Sequence, residues 1–383
     1  MKAILRALVV MIGAGQLSMA AGLLVVARDA HAADGQLQVA VTILQADAIR
    51  VAWSPDGRYI AASIGGEKPG YAVWDARTGT RIRELVEGYG SFLGGVGLAF
   101  TADSTHLIVQ PSAPSGDPRQ RELHFWNVET GAVDARVTGT AIPRSFAASA
   151  ENNTLAVLYA DGSGVLFGGS AWVQVGGWSR PPSSDGLVGA SLAVEPSGRR
   201  FALGGSSGKP YVGEPRGKIW VYEVTNLGSA RQISAAQQDT VSMLAFIGNG
   251  GQIASTASQS TSVINTRSGA MEPVRDRDPV RTWNISSGER VSGLGSGWGP
   301  TNSLEGSPDG KFLGVASSGT GGLFGSRPAY RIWDVADEVT IGTLAASGTL
   351  YHQSAFGPAG DRVAVIASAR AGAPFEILIV EFR

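Results

Sequence analysis

A four-residue turn that recurs about every fifty residues constrains the fold of this chain more than any other sequence feature. In the first copy, Ser54-Pro55-Asp56-Gly57, proline presets φ, aspartate caps the turn and glycine adopts the left-handed conformation that closes a tight hairpin. Six related turns follow, and the seven copies end at 57, 104, 152, 198, 250, 310 and 360. A period of this size is typical of repeat architectures.

Each repeat has room for four strands. In the first repeat, residues 51–75 contain a strand, the turn, a second strand, a loop and a third strand, and Ala76-Arg77-Thr78-Gly79 is a second turn before a fourth strand at 81–85. The strands after the seven turns are nearly continuous apolar runs, which indicates sheets that are covered on both faces. The sequence therefore predicts an all-β, seven-bladed β-propeller of four-stranded antiparallel blades.

The third strands carry a second signature. They end in Val73-Trp74-Asp75, Phe125-Trp126-Asn127, Thr282-Trp283-Asn284 and Ile332-Trp333-Asp334, with Ile219-Trp220-Val221-Tyr222 as a looser copy. Together with the turns, these motifs resemble the WD-repeat β-propellers over essentially all of residues 33–383. The Gly-His pair of that family is absent from every repeat, so the resemblance is to a divergent member.

The two ends of the chain are expected to meet. The last repeat supplies three strands, and the alternating segment at 36–42 precedes the first repeat. This segment fits as the fourth strand of blade seven, because an unclosed ring would leave strand edges exposed. The alternative is a loose N-terminal extension.

The first 32 residues have the layout of a secretory signal peptide. Lys2 and Arg6 precede the apolar run 7–26, and Ala30-His31-Ala32 is an A-x-A cleavage site. Cleavage after Ala32 would leave a propeller of residues 33–383 in the periplasm or outside the cell, without stable membrane insertion. An uncleaved membrane anchor is the alternative, since the run is about long enough to span a bilayer. The chain has no cysteine, so no disulfide supports the fold.

Residues 259–279 form an insertion in the fifth repeat. Its segment 263–269 imitates a third strand with its turn, so it could compete with Thr282-Trp283-Asn284 for that place in the blade. We expect an extra hairpin above the blade instead, because the Trp283 segment matches the repeat better.

One face of the propeller is expected to bind another protein. The loops between second and third strands (65–70, 111–121, 206–217, 259–279, 317–329 and 368–374) contain ten basic and six acidic residues. This face is therefore positive, although the chain as a whole is almost neutral. Arginine together with aromatic residues is enriched at protein interfaces. The candidate binding residues are Tyr89, Phe92, Arg119, Arg121, Arg275, Arg277, Trp298, Arg327 and Tyr351. The alternative is that these loops are only solvated connections.

Catalytic signatures are weak. Three histidines remain after residue 32, and no zinc-binding spacing is present. The Gly-x-Ser-x-Gly match at 204–208 follows a strand but has no predicted helix after it. The sequence thus predicts no cofactor, no metal and no catalytic residue. Near-neutral charge argues against nucleic acid as a partner, and we expect a monomer that acts as a scaffold. The alternative function is a metal- or cofactor-dependent enzyme, of hydrolase or lactonase type, with its site in the central channel.

Overall fold

Each of the seven repeats folds into one four-stranded antiparallel sheet. The structure is a computed structural model that describes residues 37–45, 48–64, 70–86, 97–111, 113–181, 188–206, 217–233, 240–257, 262–264, 271–273, 279–295, 298–319, 327–369 and 375–382. The first strands of neighbouring sheets contact one another in sequence around a ring. The protein is therefore a seven-bladed β-propeller, as the sequence predicted.

The strands are numbered in chain order, and four consecutive strands make most blades. Blade one contains β2 Val51–Trp53, β3 Tyr59–Ile64, β4 Gly70–Asp75 and β5 Arg81–Val86. Blade two contains β6 Leu98–Phe100, β7 His106–Val109, β8 Glu122–Asn127 and β9 Val133–Thr138. Blade three contains β10 Pro143–Ala148, β11 Thr154–Tyr159, β12 Gly164–Gly168 and β13 Val173–Trp178. Blade four contains β14 Val188–Val194, β15 Arg200–Ser206, β16 Gly217–Glu223 and β17 Asn226–Ile233. Blade five contains β18 Val241–Ile247, β19 Gln252–Ala257, β22 Val280–Asn284 and β23 Arg290–Leu294. Blade six contains β24 Thr301–Gly306, β25 Phe312–Ser317, β26 Ala329–Asp334 and β27 Val339–Leu344. Blade seven contains β28 Leu350–Phe356, β29 Arg362–Ser368, β30 Phe375–Glu381 and β1 Gln38–Gln45.

The first strand of the chain closes the ring. β1 pairs with β30, so blade seven is made from both ends of the polypeptide. The predicted strand at 36–42 thus exists, with its observed bounds a little later. Closure pairs the backbone groups of β30 that would otherwise form a free edge.

The recurring turns have the predicted geometry in every copy but one. Gly57 has φ +78° and donates its N–H to the Ser54 carbonyl at 2.9 Å, and the later copies repeat this bond. The copy in blade three ends at Asn152, whose N–H instead bonds to the Ser149 hydroxyl at 3.1 Å. A side chain therefore closes this turn in place of the backbone.

Neighbouring turns also hydrogen-bond to one another. The Asp56 N–H donates to the Ser104 hydroxyl at 3.0 Å, which joins blades one and two. The Gly248 N–H donates to the Gly310 carbonyl at 2.7 Å, which joins blades five and six. We call this side of the ring, with the turns between first and second strands, the turn face. These bonds fix the relative positions of adjacent blades.

The turns between third and fourth strands are capped by the residue that follows the tryptophan. Asp75 Oδ1 accepts the backbone N–H groups of Arg77 and Thr78 at 3.0 and 2.7 Å. Asn127 and Asn284 make the same pair of contacts in blades two and five. This local capping explains why Asp and Asn alternate at the position.

The core consists of separate layers between adjacent blades. Trp74 packs in one cluster with Ala364 and Ile366 of blade seven, and Trp333 packs with Ala254 of blade five. The tryptophan of each signature therefore faces the preceding blade. Since every layer needs two blades, the ring holds its core without disulfides.

The insertion in blade five forms an additional hairpin, as expected. β20 Ser262–Ile264 pairs only with β21 Met271–Pro273, whereas β19 pairs with β22. Trp283 thus occupies the third strand of the blade, and its Nε1–H donates to the buried Ser255 hydroxyl at 2.8 Å. The pairing confirms the choice between the two candidate third strands.

The register of blade four corrects one assignment. Phe201, three residues after its turn, pairs with Tyr222, just as Ile60 pairs with Trp74 in blade one. Tyr222 therefore occupies the position of the signature tryptophan, and Trp220 lies two residues before it. The sequence motif suggested Trp220 because residue type was compared without the register.

Candidate binding face

The face opposite the turn face carries the loops between second and third strands and the loops that join consecutive blades. We call it the loop-rich face. The first and third strands of each blade begin at the loop-rich face, because the four strands of a blade alternate in direction. Much of this face lies outside the described residues, so its best-defined part is at blades two, five, six and seven.

An arginine stacks on a tryptophan between blades five and six. The Arg331 guanidinium carbon lies 4.6 Å from the ring centroid of Trp298, within the range of a cation–π contact. Arg331 Nη1 also donates to the Ser317 hydroxyl at 2.9 Å. Burial lowers the pKa of Arg331 below its ordinary value, but a guanidinium remains charged at neutral pH. The two side chains thus form a charged, pre-positioned pair.

The backbone near Trp298 is shaped to hold its ring. Gly295 has φ +86°, and a Cβ placed there would lie 2.7 Å from the indole. The Trp298 N–H donates to the Gly295 carbonyl at 2.9 Å. The indole packs against the core layer between blades five and six while part of it stays exposed. Glycine is therefore required for this loop to fold under the ring.

Polar side chains continue this surface toward blade seven. The Ser318 hydroxyl donates to Asn302 Oδ1 at 2.8 Å, and Asn302 Nδ2 donates to the Tyr351 carbonyl at 3.0 Å. His352 Nε2 lies 3.0 Å from the Ser368 hydroxyl. Burial lowers the pKa of His352, so its ring is neutral at physiological pH. This part of the face can donate and accept hydrogen bonds without a fixed negative charge.

The loop of blade two is ordered by its own side chains. Asp117 caps a short 3-10 helix, Pro118–Arg121, and accepts a hydrogen bond from Arg119 Nε at 3.0 Å. These bonds from Arg119 lower the pKa of Asp117 to about 2. The charge of Arg119 is thus balanced within the loop, whereas Arg121 is exposed.

Tyr351 does not lie on the surface, which contradicts its role as a binding residue. Its side chain is 1% exposed and packs in the layer between blades six and seven. Its hydroxyl accepts the Ala346 N–H at 3.0 Å. Tyr351 was selected because it was assigned to the loop that joins blades six and seven. It is instead the second residue of β28, and its ring points into the core.

The structure places four of the candidate binding residues on the loop-rich face. Trp298 and Arg327 lie on the loop-rich face at blade six, with Arg327 exposed. Arg119 and Arg121 lie on the same face at blade two. Tyr89, Phe92, Arg275 and Arg277 lie outside the described residues.

The sequence reasoning missed Arg331 because it searched the loops, and Arg331 lies within a strand. A signal was present, since Arg331 and Arg281 stand two residues before Trp333 and Trp283 in consecutive blades. Arg281 is buried at this equivalent position. Aligning the blades by register would have found both.

The strands that line the central channel offer few acidic side chains. The seven first strands, which line it, contain a single acid, Glu305. Among the described residues, no group of three or more His, Cys, Asp or Glu side chains could hold a metal ion. No helix in the described ranges is long and apolar enough to cross a membrane.

Comparison with solved structures places the chain among β-propellers. The β-propeller domain of Cps50 (Swd1) from Myceliophteria thermophila superposes with a TM-score of 0.60 at 13% sequence identity. The alignment covers 91% of this chain and 100% of that domain. No family model matches the chain, and no curated protein matches it. At this identity the likeness establishes the fold.

Proposed function

We propose that this protein is an exported scaffold that binds another protein through the loop-rich face. The observation that carries the proposal is the Trp298–Arg331 pair, in which a partly exposed indole and a guanidinium are held by blades five and six. Large aromatic and arginine side chains fixed before binding contribute most of the energy at protein interfaces. Arg327 and Arg121 add exposed positive charge, which favours a partner with acidic side chains.

The experiment starts from a defined partner. The mature protein is immobilised, proteins from a periplasmic extract of the source cell are captured, and the captured protein is identified and purified. Its affinity is then measured by calorimetry for the unaltered chain, Trp298→Ala, Arg327→Ala and Lys311→Ala. Lys311 is exposed on the turn face and serves as the control.

We expect Trp298→Ala to weaken binding by roughly 30-fold or more, the effect of about 2 kcal/mol at a central contact. Arg327→Ala should slow association and reduce its dependence on salt. Equal affinities for all four proteins, each with an unchanged melting temperature, would show that the partner binds elsewhere.

The proposal also includes the family of the protein and its export from the cytoplasm. We infer a divergent WD-type propeller, supported by the signature tryptophans and by the Asp or Asn caps after them. We also infer that residues 1–32 are removed, which leaves residues 33–383 as one monomeric domain. Sequencing the N-terminus of the mature protein should give Ala33 first; a start at Met1 would favour an uncleaved anchor.

The alternative of a channel enzyme has a weaker basis. Glu305 is the one acid among the first strands, and burial raises its pKa to about 8. A lone protonated carboxyl group can donate a proton, but hydrolysis also needs a base or a metal nearby.

A further inference from the structure

A cavity of about 390 Å³ lies between blades three and four, away from the loop-rich site described above. It runs along the outer part of the interface, between β13 and the strands β16 and β17. Its walls include Trp178, Trp220 and Tyr222. A volume of this size is in the range of sites for small organic ligands.

The cavity lies at an interface where the tryptophan of the repeat signature is replaced. Tyr222 stands where blades one, two, five and six have the larger tryptophan. Gly176 beside it allows close approach of Leu227, since a Cβ there would lie 2.5 Å from Leu227 Cδ1. The two outer strands therefore meet at Leu227 and leave space next to it.

The aromatic walls are rigid. The rings of Tyr222 and Phe201 stack with centroids 4.9 Å apart and planes 2° apart, and Trp178 lies 4.6 Å from Phe201. Trp178 Nε1 donates to the Gly162 carbonyl at 3.2 Å, which fixes the indole. A flat apolar group of a ligand can pack against these rings without any change in their positions.

Two hydrogen-bond donors at the cavity have no acceptor among the residues that the structure describes. Trp220 is 1% exposed, and its Nε1–H is buried without a hydrogen-bond partner. The Tyr222 hydroxyl also makes no hydrogen bond with the part of the chain that the structure describes. Burial raises the pKa of Tyr222 to about 12, so the phenol keeps its proton at physiological pH. A buried donor without an acceptor is costly, and a ligand oxygen would satisfy it.

The other residues that line the cavity favour binding of a negatively charged group. Arg180 lines the cavity together with Ser179, Ser229 and Gln232, and none of the lining residues is acidic. The charge of Arg180 also acts on Asp161, which lies outside the lining. Guanidinium and hydroxyl groups are the usual partners of carboxylates.

We propose that this cavity binds a carboxylate carried on an aromatic or apolar body. The rings of Trp178 and Tyr222 would hold the body, and the donors of Tyr222, Trp220 and Arg180 would bind the oxygens. The same chemistry occurs in a free aromatic acid and in the C-terminal residue of a peptide. The two sources are separated by experiment.

The test follows the indole N–H resonances of the mature, folded protein by NMR. Benzoate is one probe, and benzyl alcohol is its uncharged counterpart. The tripeptide Gly-Gly-Phe with a free C-terminus is compared with its C-terminal amide. We expect benzoate or the free tripeptide to shift the Trp220 resonance, and the uncharged counterparts to bind at least several-fold more weakly. Tighter binding of the tripeptide indicates a peptide end as the source, and tighter binding of benzoate indicates a free acid.

Variants connect the binding to the cavity. Tyr222→Phe keeps the ring stack and should weaken binding about 3- to 10-fold, the effect of one hydrogen bond. Ala230→Leu adds volume at the lining and should weaken it further, whereas Tyr59→Phe in blade one is the control. The proposal is overturned if neither carboxylate shifts Trp220, if benzyl alcohol binds as well as benzoate, or if Tyr222→Phe and Ala230→Leu bind like the control.

Discussion

Val39 in the first strand pairs with Val380 in the last, so residues near the two ends of the chain lie side by side in blade seven. The same strand places Ile43 opposite Ile377 and buries it in the layer between blades seven and one. Closure of the ring therefore depends on backbone pairing and on a buried side chain together. This relationship leads to the first prediction.

Replacement of Ile43 by alanine should destabilise the whole propeller. The side chain is 2% exposed, and its loss should lower the free energy of unfolding by about 2–4 kcal/mol, the range for large-to-small core substitutions. Urea denaturation measures the change. Gln38→Ala on the exposed side of the same strand is the control, and equal stability of the two variants would mean that β1 does not support the ring.

The cap of the turn after Trp74 should tolerate asparagine but not alanine. Asp75→Ala removes the acceptor of two backbone N–H groups that water can reach, and should cost about 0.5–1.5 kcal/mol. Asp75→Asn keeps the accepting oxygen, as Asn127 and Asn284 do in other blades, and should cost much less. Thermal unfolding compares the variants. A similar loss for both would show that the charge, and not the accepted bonds, stabilises this turn.

A partly buried ion pair is present at the turn of blade four. Glu195 Oε1 lies 2.8 Å from Arg200 Nη2, and that nitrogen also donates to the Gly250 carbonyl of blade five at 2.7 Å. Glu195→Ala leaves the guanidinium without its partner at a site where the side chains are 9% and 20% exposed, and should cost ~2–4 kcal/mol.

The control for this pair lies in blade one. Arg58 and Asp56 form an exposed ion pair at the equivalent turn, so Arg58→Ala should change the free energy of unfolding little. Chemical denaturation at low and high salt provides the comparison. If Glu195→Ala is as mild as Arg58→Ala, the blade-four pair has no special role in joining blades.

Stability should depend on pH through Glu305. Ser303 Oγ bonds the Ser354 hydroxyl of blade seven at 3.1 Å, and Glu305, two residues later on β24, points to the same interface. Burial raises the pKa of Glu305 from 4.5 to about 8. The folded protein therefore holds this proton more tightly than the unfolded chain. The stabilisation is fully present below pH 4.5 and is lost as the pH rises through about 8.

Glu305→Gln should remove this dependence, because the amide cannot ionise. The free energy of unfolding of the unaltered protein should fall between pH 5 and pH 9, and that of the variant should fall less. Glu289→Gln, at an exposed turn, is the control. Parallel curves for all three proteins would place the titration elsewhere.

Sequence reasoning succeeded where a short segment decides its own structure. The turns at Ser54–Gly57 and Ala76–Gly79 are closed by bonds within a few residues, so residue type was enough to predict them. The strand at 36–42 was predicted because a ring of seven blades lacked one strand. The place of Trp283 in blade five followed from comparing repeats.

The same reasoning failed where position in the register decides the environment. Tyr222 rather than Trp220 takes the signature position, and Tyr351 points into the core although its neighbour His352 is partly exposed. For Tyr351, a shift of one residue along a strand exchanges the two faces, and residue type alone does not show which face the side chain takes. Trp220 and Tyr222 share a face and differ in the residue that each pairs with on the neighbouring strand. Arg331 was missed because only the loops were searched, and it lies within a strand.

The sequence by itself thus determined the number of blades, the order of strands and the closure of the ring, because local turns and the repeat period encode them. Only the tertiary structure decided which side chains meet between blades. The stack of Arg331 on Trp298 and the cavity at Tyr222 each need residues that are far apart in the chain. Their contacts depend on how the blades pack, and no pattern within one repeat contains that information.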